Sequence, residues 1–126
     1  MICIHLYSLL RVPERTEFKL SVLVFRRLHG TAPPYLASEL RRMANVDTRK
    51  RLRSSSTSAL VKPSSCRTMI GDRAFFVAAP RAWNTLPSSV TASETLGTFK
   101  CRSMWSLAVI SNNSTPTECQ LQAMYK

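Results

Sequence analysis

Pro13-Glu14-Arg15-Thr16-Glu17-Phe18-Lys19-Leu20-Ser21-Val22-Leu23-Val24-Phe25-Arg26-Arg27-Leu28-His29-Gly30 has helical character from end to end. Proline suits the first turn of a helix, where an N–H would have no intrahelical partner. Glu14 and Glu17 lie near the positive end of the helix dipole, which explains them better than a catalytic carboxylate pair does. Gly30 is placed to stop the helix, because glycine enters the left-handed backbone of a C-cap with least strain. His29 then reads as part of that cap rather than as a catalytic base. These signals predict a helix over residues 13–28. At 100° per residue, Phe18, Val22 and Phe25 share one face, and Leu20, Leu23, Val24 and Leu28 cover most of the rest. Arg15, Lys19 and Arg26 form a narrow stripe of their own. A helix this apolar needs neighbours on several sides, which points to a segment shaped inside something larger.

Working outward, Thr31-Ala32-Pro33-Pro34 is a rigid connector. A second helix is expected over residues 34–43, with Leu36, Leu40 and Met43 as its buried stripe and Arg41 and Arg42 at its negative end. Tyr35, beside two prolines, reads as packed. Residues 44–58 read as a loop or mobile arm. Residues 59–61 suggest a short strand, and alternation at 75–78 suggests a second. Residues 80–86 suit a short helix, opened by Pro80 and closed by Pro87. Thr91-x-x-Glu94 has the form of a capping box, so a last helix is expected over 92–107, burying Leu96, Phe99 and Trp105. Gly97 weakens that helix by about 1 kcal/mol relative to alanine. From Ile110 the chain turns polar, and a disordered C-terminal end is expected. The expected fold is mostly α with minor β: a small, incomplete helical domain with a flexible basic loop. The expected divisions are a lead at 1–12, a main region at 13–108 and a tail at 109–126.

The chain has 126 residues, enough for one small domain, and 44% of them are hydrophobic. Against 18 Lys+Arg stand 7 Asp+Glu, for a net charge of +11. That balance favours a polyanionic partner. The four cysteines, Cys3, Cys66, Cys101 and Cys119, include no C-x-x-C pair, and neither histidine follows one at zinc-finger spacing. Free thiols in an intracellular, unsecreted chain are expected, with no metal and no cofactor. The apolar run 20–25 is far too short to span a bilayer. No Tyr/Phe-x-Asp-Asp, G-x-x-x-x-G-K-[ST], G-x-S-x-G or H-E-x-x-H motif occurs, and no two acids form a convincing metal-binding pair. No enzyme is expected.

Chemistry therefore concentrates in residues 41–53, where Arg41, Arg42, Arg49, Lys50, Arg51 and Arg53 accompany one acid, Asp47. Cations at this density neutralise phosphates and release counterions, giving salt-dependent, sequence-tolerant affinity. Arg15, Lys19 and Arg26 would extend the patch; a solvated loop and stripe is the alternative. The run at 49–53 also resembles a nuclear localisation signal. Among the aromatics, Phe75, Phe76 and Trp83 could stack on bases, but core packing is the stronger expectation.

Three stretches carry a resemblance in series. The first is Arg15-Thr16-Glu17-Phe18-Lys19-Leu20, running on through Leu28-His29-Gly30-Thr31-Ala32-Pro33-Pro34-Tyr35-Leu36. The second is Arg51-Leu52-Arg53-Ser54-Ser55. The third is Gly71-Asp72-Arg73-Ala74-Phe75, then Val77-Ala78-Ala79-Pro80-Arg81-Ala82-Trp83-Asn84-Thr85-Leu86-Pro87, with Phe99-Lys100 after it. In this order they resemble the region that follows the polymerase domain in reverse transcriptases of LINE-type (non-LTR), jockey-like retrotransposons. The resemblance covers roughly residues 13–100. It implies contact with RNA, DNA or a polymerase body, and no catalysis by this region. Tyr7-Ser8-Leu9-Leu10-Arg11 departs from the family's lead, and the sequence beyond Lys100 departs from its basic tail. Such departures suit a reading frame from a decayed element. A protein-interaction module docking through the apolar first helix stays open, as does a remnant with no selected function.

Overall fold

The computed structural model describes residues 7–49, 59–64 and 69–112. The helices of this part of the chain include α1 at Val12–Leu28, α2 at Pro34–Ala37, α3 at Phe75–Thr85, α4 at Ser88–Thr91 and α5 at Leu96–Asn112, and residues 7–9 are helical as well. Single 3₁₀ turns sit at Met43–Asn45, Asp47–Arg49 and Gly71–Arg73. The mostly helical class expected from the sequence is observed. The β content of the described residues is one antiparallel bridge, Arg42 to Leu60.

Helix α1 begins and ends as its sequence dictates. The Glu14 carboxylate accepts the Arg11 backbone N–H at 2.6 Å, holding one of the donors a helix start leaves unpaired. At the other end Gly30 has φ +72°. The Thr31 N–H then reaches the Arg26 carbonyl at 2.8 Å and the Gly30 N–H reaches Arg27 at 3.3 Å, the two bonds of a Schellman cap. Phe18, Ser21, Val24 and Phe25 are buried. Ser21 is tolerated there because its hydroxyl donates to the Glu17 carbonyl at 2.8 Å.

Helices α3 and α5 both pack on α1. A stack of three rings joins them: Phe25 of α1 lies 4.5 Å from Phe99 of α5, and Phe99 lies 5.6 Å from Trp83 of α3. Leu40, Leu60, Leu86 and Val90 close the core around this stack. A smaller cluster of Leu10, Phe18, Met104 and Leu107 extends it towards the start of α1. Part of the need for neighbours expected of α1 is thus met within the chain, while Leu9 and Val12 remain exposed.

Several expectations are corrected. The helix expected over 34–43 is one turn long, at Pro34–Ala37. Beyond it the chain turns and extends, because the Arg41 carbonyl accepts the Val61 N–H at 2.9 Å and the Met43 N–H donates to Ala59 at 3.0 Å. A helix running to Met43 would instead spend the Met43 N–H on its own ladder. With so short a helix, Tyr35 stays exposed rather than packed.

The strand expected at 75–78 is instead the start of α3, and Pro80 lies inside that helix, not at its opening. Alanines 78, 79 and 82 favour helix, and the helical register buries Val77, Ala79, Pro80 and Trp83 together. Pro87 does close this region, since the residue before a proline is held extended and Leu86 has ψ 141°.

The last helix starts at Leu96 rather than 92. Its cap is Thr95, whose Oγ1 accepts the Thr98 N–H at 3.3 Å. Residues 88–91 form the separate turn α4. Trp105 is half-buried, while Met104 and Leu107 are buried in its place. The helix continues to Asn112, so residues 109–112 of the expected tail are helical, and residues 113–126 lie outside the described residues.

Candidate nucleic-acid interface

The basic segment is held at both ends. Its entry, Arg41 to Met43, pairs with Ala59 to Val61 through the two backbone hydrogen bonds on either side of the Arg42–Leu60 bridge. Leu60 is buried, 2% exposed, in the main core. Asn84 of α3 fixes it there with both ends of its amide: Oδ1 accepts the Leu60 N–H at 3.0 Å and Nδ2 donates to the Leu60 carbonyl at 3.0 Å. A side-chain amide here does what a neighbouring strand would do. The pairing of residues 41–43 with 59–61 therefore makes a closed neck.

Arg41 and Arg42 stand exposed at that neck. Arg49 ends the Asp47–Arg49 turn, where the described part of the loop stops. Lys50, Arg51 and Arg53 lie outside the described residues. Lys19 and Arg26 are exposed on α1, a different element from the neck. Arg15 has another occupation: its Nε donates to the Leu10 carbonyl at 2.9 Å and its Nη2 to the Ser8 carbonyl at 2.8 Å. Its guanidinium also lies 5.4 Å from the centre of the Tyr7 ring. Arg15 thus ties the chain before α1 to that helix.

The aromatics divide. Trp83 is 2% exposed and Phe75 packs partly buried against the core. Phe76, one residue on, is 39% exposed. It lines a hollow with Ser38, Glu39, Arg41, Val61 and Pro63. The sequence reading missed both Asn84 and the setting of Phe76. No local signal marked Asn84, because its partner Leu60 lies 24 residues away in the chain.

Among the described residues, no group of three His, Cys, Asp or Glu side chains could hold a metal ion. No described helix is long and apolar enough to cross a membrane. Comparison of the chain with protein-family models, with curated proteins and with solved structures finds no match.

Proposed function

We propose that this chain is a non-catalytic relative of the region that follows the polymerase domain in LINE-type reverse transcriptases, and that it binds RNA or DNA without sequence preference through residues 41–53. The serial motifs between residues 15 and 100 support the kinship. The observation that carries the binding reading is the closed neck. Arg41 and Arg42 stand exposed at a neck anchored through the buried Leu60, and the other four basic residues of the run, Arg49, Lys50, Arg51 and Arg53, lie in the sequence between its two sides. Fixing the ends of a loop removes part of the entropy it would lose on binding a polyanion.

The test is a gel shift with RNA. Arg42, Arg49, Lys50, Arg51 and Arg53 are replaced together by alanine, and affinity is expected to fall at least tenfold. Unchanged affinity would sink the proposal. A module that docks through the apolar face of α1 is the less favoured reading, because Val24 and Phe25 of that face already pack against α3 and α5.

A further inference from the structure

We infer that the hollow beside the neck receives an unpaired base stacked on Phe76, so that single-stranded nucleic acid is the preferred ligand. This deepens the nucleic-acid reading above and rests on it. Phe76 is the starting observation. Its neighbours on α3 turn inward, with Val77 at 0% and Trp83 at 2% exposure, while Phe76 keeps 39% of its surface in solvent. A phenylalanine held partly in water forgoes burial but leaves ring surface open to a partner.

The surroundings fit a nucleotide. Val61 and Pro63 give the hollow apolar walls, and Arg41 stands at its rim. The Arg41 carbonyl accepts the Val61 N–H at 2.9 Å, so the backbones of rim and wall are fixed to each other. A base can lie on the Phe76 ring while its phosphate meets the Arg41 guanidinium, as in grooves that pair aromatic platforms with basic residues. Glu39 also lines the hollow and repels phosphate, which leaves the Arg41 side to the strand's backbone. Bases within a duplex are already stacked on one another and do not reach Phe76, whereas every base of a single strand offers a free π-face.

The experiment measures fluorescence anisotropy of the full chain with three labelled probes of equal length: oligo-rU, oligo-dT and a DNA duplex. Phe76→Ala and Phe76→Leu are compared with Phe76→Trp, and near-ultraviolet circular dichroism checks that each variant is folded. Leucine keeps an apolar contact but has no stacking face, so it separates stacking from packing.

The alanine and leucine variants are expected to lose about tenfold in single-strand affinity, with tryptophan restoring it and duplex binding unchanged in all three. Loss confined to oligo-rU or to oligo-dT supports the inference and identifies the strand. If the unaltered chain binds the probes through the basic loop but the Phe76 variants bind as it does, this inference fails and the function above stands. Equal losses on duplex and single strand overturn it too. If the unaltered chain binds none of the probes, both readings fail.

Discussion

Two glycines in this chain do opposite work. Gly30 sits at φ +72°, and a Cβ there would touch nothing within 4 Å. Its need is conformational alone, so Gly30→Ala is expected to cost about 1 kcal/mol through left-handed strain. Gly97 also has open space around it, but its φ lies outside the left-handed range. Gly97→Ala is expected to stabilise the protein by about 1 kcal/mol, because it removes backbone freedom from the unfolded chain. Urea titration of both variants checks the pair of signs. Asn84 was not legible from local pattern, since its partner Leu60 is 24 residues away in the chain. Asn84→Ala leaves the Leu60 N–H and carbonyl without partners and is expected to cost about 2 kcal/mol by urea unfolding. It should also weaken nucleic-acid binding, because the loop's neck loses its anchor.

At the scale of elements, legibility followed the strength of local signals. Helix α1 has proline, acid and glycine in agreement, and its observed limits depart from the expected ones by one residue at most. Helix α3 combined alternating bulk at 75–78 with an internal proline, two signals that argue against helix. Burial of Trp83 against Phe99 outweighed both. The start of α5 was displaced because two threonines lie four residues apart and Glu94 favours the wrong one. Thr95 makes the cap, while the Thr91 hydroxyl donates to the Ser88 carbonyl at 3.1 Å. Thr95→Ala is therefore expected to cost about 1 kcal/mol in a thermal or urea titration. Thr91→Ala should cost only a few tenths, as expected for an exposed hydroxyl bonded locally. A larger loss at Thr91 would move the cap back to where the sequence put it.

Over the described residues, three helices share one stacked core, and the basic run begins at a neck closed by pairing between residues 41–43 and 59–61. Net charge and the position of the basic run were plain in the sequence. The neck was not, because it depends on pairing between residues 41–43 and 59–61 and on the burial of Leu60. This arrangement separates stability from binding: replacing loop cations should leave the core intact, and replacing core residues should unfold the chain. The most direct test of the central claim is the salt dependence of affinity for a single strand, measured for the full chain and for the variant lacking Arg42, Arg49, Lys50, Arg51 and Arg53. If those five and Arg41 neutralise phosphates, log K should fall against log[salt] with a slope of about −4.2 in the full chain, from about −0.7 per contact, and of about −0.7 in the variant, which keeps Arg41. A slope that is the same in both proteins would contradict the account, because the affinity would then reside elsewhere on the molecule.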